Sequence, residues 1–352
     1  MGKDGNNMKA AVYEGIEKIA VKDVPKPGCG NNNVVIRVKA CAICGTDLRI
    51  YHHGKSNVKP PQIIGHEVSG IIEECGTMVK GFRKGDRVSV AAIVSCGKCR
   101  WCRKGYNNLC EKFAAIGYEH PGGFAEYMAV PPEMLLDGSV NILPPSISFQ
   151  EAAICEPCAC ALNGQELSRV SPGDVVLIIG SGALGCMHIA IARSFGASKV
   201  ILSDINAKRL EMAARFKADL YVDSSKEDLV NTVLKETGGL GADVIIIAAP
   251  SGKAQEDSLK MVSFRGRINF FGGLPKDKPY VTLDSNLIHY KEIFINGTSG
   301  SLPRHNRMAL ELFSSGKVDA KSFITHVFPL EKILDGLQVM EKGEGFKVII
   351  EP

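Results

Sequence analysis

The chain has 352 residues, 45% hydrophobic and 23% charged, and its 42 basic and 38 acidic side chains leave a formal net charge of +4. That length predicts two domains, with cores large enough to need no covalent staples. The balanced charge, without a basic run, argues against nucleic-acid binding, and no apolar run is long enough to span a bilayer. The N-terminal MGKDGNNM has no apolar region after its lysine, so it reads as a short disordered leader and not a signal peptide, and the chain as cytoplasmic. In that compartment twelve cysteines point to metal ligands or buried thiols and not to disulfides.

The first half alternates short β-rich runs with glycine and proline: KAAVYEG, VVIRVKA, HEVSGIIEEC, DRVSVAA and GFAEYMAVP. This pattern predicts a twisted, mostly antiparallel β-domain with irregular loops. A helical pattern starts near Gln150, and SPGD at Ser171–Asp174 makes a turn. Strands and helices then alternate: Val175–Ile179 as a buried strand, Leu184–Phe195 as a helix ended by Gly196, Lys199–Asp204 as a strand, and AKRLEMAARF as an amphipathic helix. Ala242–Pro250 and Arg267–Gly273 are further buried strands, and the last fifty or so residues are mixed and close with a strand in FKVIIEP. Such alternation predicts an α/β domain with a doubly wound parallel sheet covered on both faces.

Gly180-Ser-Gly182-Ala-Leu184-Gly185 follows the first parallel strand and opens a helix. Gly180 permits the tight turn, Gly182 lets a pyrophosphate reach the backbone, and Gly185 lets helix and strand pack closely. The helix N-terminus supplies N–H donors for phosphates. Asp204 ends the next strand at the expected spacing of about 20 residues, where a carboxylate holds the ribose hydroxyls of NAD and repels a ribose phosphate. Lys208 and Arg209, one turn into the following helix, keep NADP open; their alternative is a solvated basic face.

Cys96, Cys99, Cys102 and Cys110 form C-x2-C-x2-C-x7-C in a stretch too polar for a core. Four thiolates can enclose one Zn²⁺ with no open position, which makes that site structural. Chemistry then needs a second site. Cys44, in Cys44-Gly-Thr46-Asp47, and His66, in Gly65-His66-Glu67, offer a thiolate and an imidazole, and Glu156 offers a carboxylate. Cys155, Cys158 and Cys160 are rival ligands beside Glu156. Cys41 and His188 read as packing residues.

CGTD, GHE, the four-cysteine lobe, GGFAEY, the acid-proline pair and GSGALG occur in the order found in the zinc-dependent medium-chain alcohol dehydrogenases. The chain resembles that family over nearly its whole length, in particular the branch with sorbitol and threonine dehydrogenases. The resemblance implies a GroES-like catalytic domain from residues 1–160 and 300–352, with a Rossmann domain inserted at 161–299. It implies two zinc ions per chain and NAD. Cys44, His66 and Glu156 match catalytic zinc ligands, and Glu67 matches a position that ligates in some relatives and lies behind the metal in others. Asp47 matches the partner of the ligand histidine, and Thr46 the hydroxyl that takes the alcohol proton. Gly272, Gly273, Leu274 and Thr298 fall where relatives meet the nicotinamide half of the cofactor. A homotetramer follows from the same likeness.

The implied reaction is hydride transfer from a secondary alcohol to NAD. Arg49 departs from the histidine of several relatives, with His52 and His53 as stand-ins. Arg49, Tyr51, His52 and His53 are expected to form a polar substrate wall, which ranks a polyol or sugar alcohol first. L-Threonine and a sugar-alcohol phosphate are the alternatives, and a catalytically inactive nucleotide-binding module is the reading outside enzymes.

Overall fold

The computed structural model describes residues 7–352 and divides the chain into two compact units, residues 1–159 with 301–352, and residues 160–300. The first strand begins at Asn7; the leader reading otherwise falls on residues 1–6, outside those described.

In the first unit, Val34–Ala42 is the spine of a seven-stranded sheet. It runs antiparallel to Glu67–Cys75, Tyr127–Val130 and the C-terminal strand Lys347–Glu351. The last strand therefore closes on the beginning of the chain, with Ile349 opposite Ala42 and Ile350 opposite Cys41. β-Branched residues suit this pleated, half-covered surface. Val34, Ile36, Val38, Ile72, Val88 and Ile350 pack with Phe124 and Met128 in one core. The register sets Ala42 against Glu67, so Cys44, Glu67 and Lys347 emerge from neighbouring strands at one end of the sheet. Gly65, just before His66, has φ +91°, and a Cβ there would lie 2.8 Å from Cys41 Sγ and 2.9 Å from the Phe124 ring. Only glycine brings the chain past that point without displacing core atoms.

The helix expected from Gln150 is two helices. Ser148 and Glu151 form a capping box at the start of Phe149–Ala153, and a second helix runs Cys155–Leu167. Pro157 has no N–H to give a preceding turn, which suits the first turn of a fresh helix and not the middle of a continuous one. The mixed C-terminal region contains helices Pro303–Ser314 and Ile333–Lys342 and strand Ile324–Pro329.

The second unit is a six-stranded, all-parallel sheet. Its order is Leu220–Asp223, Lys199–Asp204, Val175–Ile179, Ala242–Ile247, Val262–Phe270, Phe294–Gly297. This is the doubly wound order in which the first strand is central and ligands meet the carboxyl ends of the strands. Continuous apolar strands such as VVLII are what a sheet covered on both faces requires. The first helix is Ala183–Ser194, with Gly182 at its N-cap. A Cβ on Gly185 would lie 1.8 Å from the Gly180 carbonyl oxygen, so the helix can sit this close to the strand only with glycine there. No helix among the described residues is long and apolar enough to cross a membrane.

His188 is fully buried in that first helix. Its ring meets the edge of Phe271 at 4.6 Å, and Gln165 Nε2 lies 3.1 Å from its Nδ1. Burial pulls its pKa down to about 3, so the folded protein holds it neutral. The unfolded chain binds a proton near the ordinary histidine value, about 6.5. Between those two values the unfolded state carries more protons, and stability must fall as pH falls. Thermal melting from pH 7 to pH 4 is expected to show a declining acid limb that His188→Gln makes shallower, by at most about 1.4 kcal/mol per pH unit. An identical limb in the variant would exclude His188 as its source.

Candidate active site

Cys44 is the N-cap of the helix Gly45–His53. Its backbone N–H donates to Asp47 Oδ2 at 2.8 Å. The other Asp47 oxygen stands 3.5 Å from His66 Nδ1, longer than a formed hydrogen bond but close enough to attract the ring. Asp47 has no exposed surface and His66 is 4% exposed. With Asp47 at Nδ1, the imidazole offers Nε2 to a metal. Burial works most strongly against a charged His66, but Asp47, Tyr118 and Cys44 together outweigh it and hold the imidazole well above its usual range. Burial likewise pushes the Cys44 thiol up, yet His66 and Lys347 together bring it down to about 7.

Ligand atoms of Cys44, His66 and Glu67 lie within 4.8 Å of one another. A thiolate, an imidazole and a carboxylate at that spacing fit Zn²⁺. Glu156 is buried but outside this cluster, near enough to act electrostatically on Glu67, Lys347 and Tyr118. Both oxygens of Glu67 rest on Lys347 Nζ, at 2.5 and 2.6 Å. Burial pulls Lys347 down, but Glu67 and Cys44 more than restore it, and the ammonium keeps its proton. Cys155 and Cys158 are fully buried with thiols pushed up by burial, Cys158 to about 12, and neither belongs to the cluster. Cys41 is buried in its strand as expected of a packing residue.

Lys347 and Tyr118 escaped the sequence reading. Tyr118 has its ring 5.4 Å from that of His66, and burial pushes its phenol up to about 12, so it is a neutral donor beside the cluster. The expected polar wall is only partly assembled. Thr46 and Arg49 meet, with Arg49 Nη2 donating to Thr46 Oγ1 at 3.0 Å. Tyr51 packs against the core, and His52 turns to Glu341 and Glu17 at 3.2 and 3.5 Å.

The four lobe cysteines converge within 4.8 Å. Backbone N–H groups of Cys96, Cys99, Cys102 and Lys112 point at three of the sulfurs, those of Cys110, Cys96 and Cys99, at 3.3–3.5 Å. Such donors favour thiolate, and those of Cys102 and Glu111 bring Cys99 down to about 6. A closed set of four sulfurs suits Zn²⁺ with no coordination position left for substrate.

In the second unit, Asp204 Oδ2 accepts from Ser181 N and Oγ, both at 2.7 Å, and Oδ1 from Asn206 N at 2.9 Å. The acid thus stands beside the Gly180–Gly185 loop. Arg209 is half-buried, Lys208 is exposed, and Leu184 lies in the first helix turn after the loop. Gly272 donates to Ile247 O at 2.7 Å and would clash with Ala249 O if it carried a Cβ, whereas Gly273 is open. Leu274 Cδ1 lies 3.8 Å from where a Cβ on Gly252 would be. Thr298 Oγ1 is 2.8 Å from Asn269 Nδ2. Asn269, a fully buried amide, also binds Asn296; a lone asparagine in the apolar run RINFFGG was the only sequence sign of it.

The profile "Alcohol dehydrogenase GroES-like domain" matches residues 30–140, and "Zinc-binding dehydrogenase" matches residues 183–315. The L-threonine 3-dehydrogenase of Pyrococcus horikoshii is 37% identical over 351 residues, 97% of each chain. The chain belongs to the zinc-dependent medium-chain alcohol dehydrogenases. Solved structures of similar fold include a short chain alcohol dehydrogenase of Escherichia coli CFT073 complexed with NADH, at TM-score 0.90 and 27% identity over 99% of this chain and 100% of that one. Galactitol-1-phosphate dehydrogenase of Escherichia coli follows at TM-score 0.88 and 25% identity, covering 98% and 100%. Membership makes the chain an oxidoreductase of alcohols that works with zinc and a nicotinamide nucleotide, with the GroES-like and Rossmann-type folds expected from its motifs.

The buried pair behind the cysteine–histidine cluster is open to test. Lys347→Met leaves the Glu67 carboxylate buried without its cation, which costs about 3–5 kcal/mol. Thermal unfolding should register that loss, and Lys347→Arg should recover most of it. A Lys347→Met protein as stable as the parent would mean Glu67 does not depend on the pair.

Proposed function

We propose that this dehydrogenase oxidises the secondary hydroxyl of a 2-amino-3-hydroxy acid, as an NAD-dependent L-threonine 3-dehydrogenase. The observation that carries this reading is similarity over nearly the full length to an L-threonine 3-dehydrogenase. It reverses the order expected from the loop after CGTD, where a polyol ranked first. His52 is drawn to two carboxylates and Tyr51 to the core, which removes half of the wall that favoured a polyol.

In this reading Cys44, His66 and Glu156 hold the catalytic zinc, with Glu67 as the ligand that alternates with Glu156. Bound there, zinc would supply Lewis-acid polarisation of an alcohol oxygen, and a nicotinamide nucleotide would supply the hydride acceptor. Thr46 Oγ1, oriented by Arg49, accepts the hydroxyl proton while its own O–H proton passes to solvent. Asp47 holds the His66 ring in place, and the neutral phenol of Tyr118 lends a hydrogen-bond donor. The Gly180, Gly182 and Gly185 loop binds the pyrophosphate, with Leu184 beside it. Asp204 takes the ribose hydroxyls, which favours NAD over NADP. Arg209 lines the same end, and Gly272, Gly273, Leu274 and Thr298 meet the nicotinamide half. Residues 1–160 with 300–352 form the catalytic domain, and 161–299 the cofactor domain. Cys96, Cys99, Cys102 and Cys110 hold a second, structural zinc. The enzyme works as a cytoplasmic homotetramer, whose parallel sheet can pair through its free edge strand Phe294–Gly297.

Purified protein assayed by nicotinamide reduction with L-threonine, sorbitol, galactitol 1-phosphate and 2,3-butanediol should show its highest kcat/KM with L-threonine and NAD. Preference for any of the other three, or equal efficiency with NADP, contradicts the corresponding part of the reading. The two metal sites separate by mutation. Cys44→Ala should abolish turnover while the fold and NADH binding persist, and Cys99→Ser should lower the melting temperature and zinc content. A Cys99→Ser protein with full zinc and unchanged melting would refute the structural role.

A further inference from the structure

The helix Gly45–His53 carries one permanent cation, Arg49, three residues after Thr46 and so on the same side of the helix. Its Nη2 donates to Thr46 Oγ1 at 3.0 Å. No carboxylate among the described residues pairs with it, and its side chain is exposed. Two neighbouring basic groups are engaged elsewhere: His52 with Glu341 and Glu17, and Lys55 with Asn57 and, at 4.5 Å, with the face of the Tyr118 ring. A guanidinium remains protonated at any working pH. Arg49 therefore cannot accept a proton from Thr46 and pass it on; it can only donate. With one nitrogen on Thr46, its other N–H groups still present the planar fork that matches a carboxylate.

We propose that Arg49 binds the substrate carboxylate and makes this enzyme selective for 3-hydroxy acids over neutral alcohols. The inference rests on the reading of Thr46 as the residue that meets the reacting hydroxyl. Reach argues for a carboxylate over a phosphate ester. Arg49 stands one hydrogen bond beyond Thr46, so its nitrogen lies two hydrogen bonds, about 6 Å, from the reacting oxygen. A carboxylate one carbon removed from the carbinol carbon falls within that span, whereas a phosphate at the far end of a sugar alcohol falls outside it. The charge-assisted pair also holds the substrate from one side while Thr46 holds its hydroxyl, which fixes the face of the carbinol that offers hydride.

The test compares L-threonine with L-threoninamide, which share the carbinol and differ in the carboxylate, in the parent, Arg49→Gln and Arg49→Lys proteins. The ratio of kcat/KM for acid over amide cancels any loss of Thr46 orientation common to both. The parent should favour the acid. Arg49→Gln should lower the ratio tenfold to hundredfold, on the order of one lost charge-assisted hydrogen bond, mainly through KM, and Arg49→Lys should restore part of it. An unchanged ratio in Arg49→Gln, with threonine still oxidised, overturns the role of Arg49 and leaves the threonine reading standing. If the parent oxidises neither compound, 3-hydroxybutyrate and its amide take their place: an acid preference abolished in Arg49→Gln upholds Arg49 and overturns threonine as substrate. No preference for the acid in either pair overturns both.

Discussion

Asp47 keeps a carboxylate where no solvent reaches it. A buried charge is costly unless its oxygens are satisfied. One accepts the backbone N–H of Cys44, and the other, with no hydrogen bond of its own, faces His66 Nδ1 at 3.5 Å and is balanced by charge alone. The acid stands in the first turn of the helix that Cys44 caps, where the helix end favours negative charge. One side chain thus fixes the approach of two candidate ligands that come from different segments. Lys347 answers the negative charge of Glu67 on the neighbouring strand, and Cys44 and Glu156 add to the field that holds its ammonium. The strand register places these groups together, and the glycine at position 65 lets the chain deliver His66 to them.

The two metal-type clusters are built in opposite ways. The cysteine lobe draws its four sulfurs from one short stretch whose own backbone N–H groups turn toward three of them. The Cys44, His66 and Glu67 cluster depends on pairing between distant strands and on a carboxylate buried beneath it. The first is a self-contained knot that suits a structural ion. The second inherits its geometry from the whole sheet and keeps a chemically mixed donor set, which suits catalysis.

This difference also explains what could be read in the residues. The lobe, the glycine-rich loop and Asp204 were legible because their chemistry lies in spacing along the chain, and the βαβ alternation was legible because buried parallel strands are continuously apolar. Lys347, Tyr118 and Asn269 were not, because each owes its position to register with a remote segment. Lys347 looks like a surface residue at the start of FKVIIEP until Glu67 is set beside it. The split of the helix after Ala153 was written in Pro157, but only the helix ends reveal it. Loop side chains were the least legible: His52 and Tyr51 were grouped with Arg49 by proximity in sequence, and the helix turns them to different surroundings.

Family membership specifies the reaction, an alcohol oxidised with zinc and a nicotinamide nucleotide, while in the proposed reading substrate choice rests on a few side chains around Thr46. In the proposed reading, one chain holds two chemically different zinc ions. X-ray absorption at the zinc edge, combined with metal analysis, tests that occupancy most directly. Two zinc ions per chain with roughly two to three sulfur neighbours on average, the mean of a four-thiolate and a one-thiolate set, are the result expected. A single zinc surrounded by four sulfurs would leave Cys44 and His66 without a metal and contradict the catalytic assignment.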